Sequence, residues 1–347
     1  MTRRILITGG AGFIGSSAAL SLAERHPDWT VLACDNLYRR GSELNLPRLK
    51  AAGVEFHHAD VRNLADLEAI GAVDAVVECS AEPSVLGAAD VIVPVNLFGA
   101  YHCFEYAQRH GAQTIFLSTS RVYPVAPQEA LEVDETETRF ELRGEQPVPG
   151  ASSHGISEAF PLSGARTMYG TSKLAAELML AEYDLPWTIN RCGVVAGPWQ
   201  MGKVDQGVFT HWMLSFLRGQ PLKYIGYGGA GKQVRDLLHV ADLVDLIELQ
   251  LTNPDDWNGH TFNVGGGRDI SLSLAETTAL CREITGADIE VTAAGEDRRG
   301  DVRVYLSDCR ALFAHTDWRP RRDARTILED IHGWAVANGE LLDAAVS

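Results

Sequence analysis

The chain has 347 residues, 46% of them hydrophobic, with 30 basic and 46 acidic side chains and a formal net charge of −16. That apolar share is ordinary for a globular protein with a sizeable core, in one large domain or two smaller ones. The acidic balance argues against a nucleic-acid partner, which needs a basic face, and no apolar run reaches the ~20 residues of a membrane span.

The six cysteines, Cys34, Cys79, Cys103, Cys192, Cys281 and Cys309, stand too far apart in sequence for a metal-binding pair. Cys34, Cys79 and Cys192 fall in or at the end of apolar strand-like runs, so a reduced protein with free thiols and no metal is expected. The first strand starts almost at the N-terminus and leaves no room for a signal peptide, which points to a cytoplasmic protein.

Ile5, Leu6 and Ile7 form the apolar run of a buried parallel strand. It ends in Thr8-Gly9-Gly10-Ala11-Gly12-Phe13-Ile14-Gly15. Gly9 lets the chain turn off the strand, Gly12 lets backbone approach a pyrophosphate, and Gly15 lets the next helix, Ile14 to Arg25, pack on the strand. The start of that helix offers unpaired N–H groups to phosphate. A second strand, Thr30 to Cys34, ends in Asp35, about twenty residues past the last glycine, where a ribose hydroxyl pair needs an acceptor. An acid there repels a 2′-phosphate and favours NAD over NADP, with Arg39 and Arg40 the nearby cations that could oppose this.

After a polar loop, Asn36 to Leu46, Val54 to His57 is predicted as the third strand. Asp60-Val61-Arg62 follows; Asp60 can reach the adenine end of a dinucleotide and can also cap a helix beginning near Leu64. Ala75 to Cys79 is the fourth strand, and Ser80 to Ser84 a loop at the carboxyl end of the sheet, where ligands bind in such folds. A helix from about Pro94 to His110 and a fifth strand, Gln113 to Leu117, lead into Ser118-Thr119-Ser120. This alternation predicts an α/β fold, a doubly wound parallel (Rossmann) sheet with helices on both faces.

Between 125 and 166 apolar periodicity is lost, and the stretch reads as an irregular insertion over the substrate side of the cleft. A helix from Thr167 to Glu182 and a sixth strand, Trp187 to Arg191, complete the pattern. Beyond it the texture is mixed: helices at Gln206 to Gly219, Val240 to Leu251 and Leu272 to Thr285, strands at Leu222 to Tyr227 and Thr261 to Val264. The expected organisation is a dinucleotide-binding domain over 1–194 and a smaller substrate-binding cap over 195–347, with some segments returning to the first domain.

Tyr169 and Lys173 are four apart on one helix and share a face. A free phenol, with a pKa near ~10, is a poor base at neutral pH. A fixed ammonium favours its phenolate, so the pair can take a proton from a sugar hydroxyl while the carbon loses hydride to nicotinamide. Lys173 could also hold the nicotinamide ribose. Thr119, just past the fifth strand, can hydrogen-bond the oxygen being oxidised; Ser118 and Ser120 are rivals that spacing does not separate.

Taken together, Thr8 to Gly15, Asp35-Asn36-Leu37, Asp60-Val61-Arg62, Ser118-Thr119-Ser120-Arg121-Val122-Tyr123 and Tyr169-Gly-Thr-Ser-Lys173 resemble the extended short-chain dehydrogenase/reductase family of NAD-dependent sugar-nucleotide epimerases and dehydratases. In that family the hydroxyl residue three before the Val-Tyr pair is catalytic, which selects Thr119 beside Tyr169 and Lys173. The resemblance implies cofactor contacts from Gly9, Gly12, Phe13, Ile14, Gly15, Asp35, Asn36, Asp60, Val61, Ser80, Ala81, Asn96, Ser118, Tyr169 and Lys173. It implies substrate contacts from Thr119, Ser120, Arg121, Gln206, Arg235 and Arg303, the last two being planar cationic forks suited to a diphosphate, with Lys203 a weaker candidate. Asp134 to Arg139, Gly155 to Glu158, Asp205-Gln206-Gly207, Gly231 to Asp236 and Arg299 to Val304 are similar to one branch, the CDP-paratose 2-epimerases.

The chain departs from the family pattern around nicotinamide and sugar. Cys79-Ser80-Ala81 stands for His-Leu-Ala, Pro124 for Gly, Thr167-Met168 for Ser-Pro, and Val194 for Asn. Family 4,6-dehydratases place Asp-Glu after the catalytic Thr; Ser120-Arg121 stands here, so dehydration lacks its acid and base. The expectation is an NAD-dependent epimerase of a nucleotide-diphosphate sugar, CDP-linked and inverted at C2, in a homodimer or homotetramer. The alternatives are a C4 or C3 epimerase or oxidoreductase of a UDP-, GDP- or dTDP-linked sugar, and a non-enzymatic NAD-binding regulator.

Overall fold

The computed structural model describes residues 2–202, 207–295 and 300–346. The chain divides into two units. The first is Met1–Thr119, Met168–Arg191 and Leu243–Thr261; the second is Ser120–Thr167, Cys192–Asp242 and Phe262–Ser347.

The main sheet has seven strands: β1 (Arg4–Thr8), β2 (Thr30–Asp35), β3 (Glu55–His58), β4 (Ala75–Glu78), β5 (Gln113–Thr119), β6 (Trp187–Cys192) and the edge strand β7 (His260–Val264), in the order β3-β2-β1-β4-β5-β6-β7. β1 pairs in parallel with β2 and β4, β2 with β3, and β4 with β5. The order reverses between β1 and β4, and a crevice at the carboxyl ends of the strands opens at such a point. A parallel sheet covered on both faces takes continuous apolar strands; Ile5, Leu6, Ile7, Leu32, Ala33, Val76 and Val77 are all fully buried. Leu6, Leu32, Val76, Phe104, Phe116, Ala176 and Leu180 belong to one core cluster, in which the Phe104 and Phe116 rings meet edge to face at 5.5 Å.

The helix expected from Pro94 begins earlier. It runs as α-helix over Ala89–Val93, widens to a π-helical turn over Pro94–Gly99, and returns to α-helix over Ala100–His110. Pro94 has no N–H to continue the regular ladder, and π turns often lie at functional sites. Asp60 does not cap the helix Leu64–Glu68; the Asn63 side chain accepts from Ala65 N instead.

In the second unit, Val234–His239 pairs in parallel with Val194–Ala196 and Val304–Tyr305, and antiparallel with Ser271–Ser273. The helices Val208–Leu217, Leu274–Thr285 and Ala324–Ala337 pack on one another around a core that includes Phe209, Trp212, Met213, Leu237, Cys281, Ile327 and Ile331. The helix expected from Leu272 starts at Leu274, because Ser271–Ser273 is a strand and Ser273 forms a capping box with Glu276. The stretch read as irregular contains a short helix, Val125–Glu129, and two antiparallel pairs, Val133–Glu135 with Phe140–Leu142 and Ala151–Ser152 with Gly155–Ile156. Strands of two or three residues are too short for a period of two to show in the sequence.

Candidate functional site

The glycine loop leaves β1 with Gly9 in the left-handed region at φ 59°, where L side chains are strained. Gly12 N donates to Gly9 O at 2.9 Å, and Gly10 N to Cys34 O at 2.9 Å. A Cβ on Gly15 would lie 2.2 Å from Gly9 O, so only glycine permits this approach of helix to strand. The helix Phe13–Arg25 has Gly12 as its N-cap, no side-chain cap and no acid in its first turn. Its first N–H groups are therefore uncovered by side chains, and this cradle fits the pyrophosphate of a dinucleotide.

Asp35, at the end of β2, accepts from Ala11 N at 3.2 Å and Leu37 N at 2.8 Å. Burial pushes its carboxyl above the usual range, while the backbone N–H groups of Leu37, Ala11 and Gly12 pull it back. Next to it, Asn36 Nδ2 donates to Asp60 Oδ2 at 3.0 Å. Arg62 forks onto Asp60 at 2.6–3.1 Å and is the main reason that carboxyl stays well below the usual range. Val61 is buried against the π turn, where a Cβ on Gly99 would meet Val61 Cγ2 at 2.7 Å.

Ser80 is buried and Ala81 half-buried in the loop after β4. Asn96, in the π turn, clamps this loop: it accepts from Glu82 N at 2.7 Å and donates to Glu82 O at 3.0 Å. Its amide nitrogen also lies 3.3 Å from Ser172 Oγ, and Ser172 Oγ donates to Tyr169 O at 2.8 Å. Both ends of the Asn96 amide are thus engaged within the protein, between the loop and the helix that carries Tyr169.

Thr119 is the last residue of β5. Tyr169 and Lys173 sit in the first two turns of the helix Met168–Leu180. The Lys173 side chain is only 2% exposed; its Nζ is 3.3 Å from Glu78 Oε2 and 4.2 Å from the centre of the Phe116 ring. Glu78, the last residue of β4, is fully buried. Burial pushes its carboxyl up and Lys173 draws it down. One turn along the helix, Glu177 accepts from Ser118 Oγ and from Arg191 through Nε at 3.1 Å and Nη2 at 2.7 Å. Sequence reasoning passed over Glu78, Glu177 and Arg191. The one signal for Glu78 is an acid closing the apolar run Ala75-Val76-Val77.

Of the predicted substrate contacts, Thr119 closes a segment of the first unit, while Ser120, Arg121, Arg235 and Arg303 belong to the second. Ser120 and Arg121 form a 3₁₀ turn over Ser120–Val122, and Arg121 Nη1 donates to Gly300 O at 2.8 Å. Arg235 pairs with Asp301 and donates to Val302 O at 2.8 Å. Arg303 donates to the carbonyls of Glu129 and of Leu131, the latter at 3.1 Å. Val234 N donates to Arg303 O at 2.9 Å, so Arg235, on the strand Val234–His239, and Arg303, just before the strand Val304–Tyr305, adjoin although 68 positions separate them in sequence. Tyr227, at φ 50°, donates to Glu129 Oε1 at 3.0 Å. Lys203, Gln206 and Arg299 lie outside the described residues.

The sequence profile of the NAD-dependent epimerase/dehydratase family matches residues 5–265. The chain is similar to a CDP-paratose 2-epimerase of Salmonella typhi, at 29% identity over 95% of this chain and 98% of that protein. It is also similar to a dTDP-glucose 4,6-dehydratase of Streptomyces griseus, at 28% identity over 96% and 94% of the two chains. Among solved structures it resembles a Thermus thermophilus UDP-glucose 4-epimerase in complex with NAD, with a TM-score of 0.74 and 26% identity over 95% of this chain and 98% of that one.

Proposed function

Because this chain belongs to the NAD-dependent epimerase/dehydratase family, we propose that it inverts one carbon of a nucleotide-diphosphate sugar, that the nucleotide is CDP, and that the carbon is C2. The observation that carries the epimerase reading is the side-chain set at the ends of β5 and β4: Thr119, the helix-borne Tyr169 and Lys173, and no carboxylate in the two residues after Thr119. Elimination of water from the sugar needs a carboxylic acid and a carboxylate, and Ser120-Arg121 supplies neither. The CDP and C2 assignments rest on the similarity to the Salmonella typhi protein and on the motifs shared with that branch.

The cofactor is NAD, held by the glycine loop and the helix start at its pyrophosphate and by Asp35 at the adenosine ribose. Bound there, NAD would supply a reversible hydride acceptor for a sugar carbon. Tyr169 removes the hydroxyl proton of that carbon and later gives it back. Thr119 donates a hydrogen bond to the same oxygen. The ammonium of Lys173 favours the phenolate of Tyr169 and reaches the nicotinamide ribose. Arg235 and Arg303 neutralise the diphosphate. The working form is a cytoplasmic homodimer or homotetramer.

The test is isotopic and stoichiometric. An epimerase recycles its hydride, so many equivalents of CDP-sugar are expected to convert with no added NAD and no accumulating NADH. Product formed in deuterated water is expected to carry no carbon-bound deuterium. Release of one NADH per turnover identifies a dehydrogenase instead, and deuterium at the inverted carbon identifies proton abstraction from carbon.

A further inference from the structure

Glu78 is a buried carboxylate that the reaction above does not use. It closes β4 between two neighbours: register places it beside Thr8 on β1 and beside Phe116 on β5. The Lys173 ammonium stands over this row, 3.3 Å from Glu78 Oε2 and 4.2 Å from the Phe116 ring centre. The second oxygen, Oε1, is buried with no partner in full hydrogen-bond geometry, while the Ser80 backbone and the Thr8 side chain face the carboxylate and help Lys173 draw it down. Other titratable groups nearby do not compete for the charge. Cys34 on β2 and Cys103 on the helix Ala100–His110 are thiols held protonated by burial, with the charge of Glu78 adding to the effect. Glu177, four residues after Lys173, is taken up by the fork of Arg191 and by Ser118. Among the described residues, Glu78 is the carboxylate in ion-pair contact with Lys173.

Stability does not account for this arrangement. A buried ion pair is commonly no more stabilising than apolar residues of the same volume, and an unpartnered buried oxygen is a cost. The arrangement does account for a charge on Lys173. A lysine drawn out of water without a counter-ion gives up its proton, and a neutral amine no longer favours a phenolate beside it.

We propose that Glu78 is a positioning residue that keeps Lys173 a fixed ammonium beneath Tyr169, so that the strength of Tyr169 as a base depends on a carboxylate it does not touch. The inference rests on the role given to Tyr169 above, but it can be read without any sugar substrate. In the full-length chain stripped of cofactor, the phenolate absorbance of Tyr169 is obtained by subtracting the spectrum of Tyr169→Phe. In Glu78→Gln, which keeps the volume and loses the charge, the midpoint of this band is expected to move to higher pH by about one unit or more. The acid limb of the turnover profile moves with it. Glu78→Asp keeps the charge one methylene short of Lys173 and is expected to move both in the same direction by less, which decides the matter if Glu78→Gln does not fold. A wild-type midpoint in the variants that fold overturns the proposal. So does a shift to lower pH, which means that Glu78 merely opposes the phenolate. If no nucleotide sugar is converted while the band still moves as expected, the substrate reading fails and the pairing stands.

Discussion

At the scale of single residues, Tyr169 carries its role in one oxygen atom. Tyr169→Phe keeps the ring and the helix Met168–Leu180 and removes only the group proposed to move the proton. Turnover is expected to fall by roughly 10²–10⁴-fold with NAD affinity unchanged; steady-state rates and calorimetric titration check both halves, and near-wild-type turnover removes Tyr169 from the mechanism. Asp236 shows what burial does to a carboxylate that has no cation paired with it among the described residues. It accepts from Ser307 N at 3.1 Å and Gly267 N at 3.2 Å, yet burial pushes its carboxyl up to about 6. Its unfolded value is near ~3.9. Between these the folded state holds more protons than the unfolded state, so the Asp236 contribution to stability declines as pH rises from about 4 through 6 and stays low above. Both N–H groups donate to one oxygen, Oδ2, so Asp236→Asn keeps an acceptor where they point and removes the titration. Relative to wild type it is expected to gain ~1–3 kcal/mol between pH 4.5 and pH 7, read from denaturant midpoints at the two pH values. Equal differences at both pH values contradict this.

At the scale of elements, what could be read in advance follows from how local each cause is. The β1–glycine loop–helix unit is fixed by residues within one stretch, so Gly9, Gly12, Gly15 and the apolar run announce it together. The π turn over Pro94–Gly99 is a departure inside a helix, and the apolar period on either side conceals it. Val234–His239 shows in the sequence as a motif and not as a strand, because its pattern is set by neighbours far along the chain, Ser271–Ser273 and Val304–Tyr305. The helix Ala324–Ala337 carries no motif of its own, and its buried face gains meaning only from the core it completes with Phe209 and Trp212. The candidate site divides the same way: phenol and lysine follow a spacing and the hydroxyl a family motif, whereas Glu78 meets Lys173 across 95 positions. Local causes also permit a sharp test at this scale. Ser273 accepts from Glu276 N at 3.0 Å while Glu276 returns a contact to Ser273 N at 2.8 Å. Ser273→Ala opens this capping box and is expected to cost about 1 kcal/mol in urea denaturation. A change near zero shows that packing of the helix Leu274–Thr285 alone fixes its start.

At the scale of the whole molecule, the net charge of −16 works against every ligand proposed here, since NAD and a nucleotide-diphosphate sugar are both anions. Recognition must then come from local geometry rather than from the overall field: a helix start with no acid in its first turn, and the guanidinium groups of Arg235, on a strand, and Arg303, just before the strand that pairs with it. Binding to the native state alone raises stability by an amount that grows with ligand over Kd, about 2.7 kcal/mol at one hundred times Kd. The thermal midpoint of the intact, cofactor-stripped chain therefore reports both sites. NAD is expected to raise it, and NADP to raise it less at equal concentration, because the role proposed for Asp35 puts an acid against a 2′-phosphate; the gap is expected to close in Asp35→Ala. With NAD saturating, CDP is expected to raise the midpoint further than UDP, GDP or dTDP, and Arg235→Ala or Arg303→Ala to remove that second increment while leaving the first. The two increments separate the two halves of the reading. If NAD stabilises and UDP outranks CDP, the family chemistry stands and the sugar carrier is reassigned; if NADP matches NAD, the role given to Asp35 fails independently of the substrate.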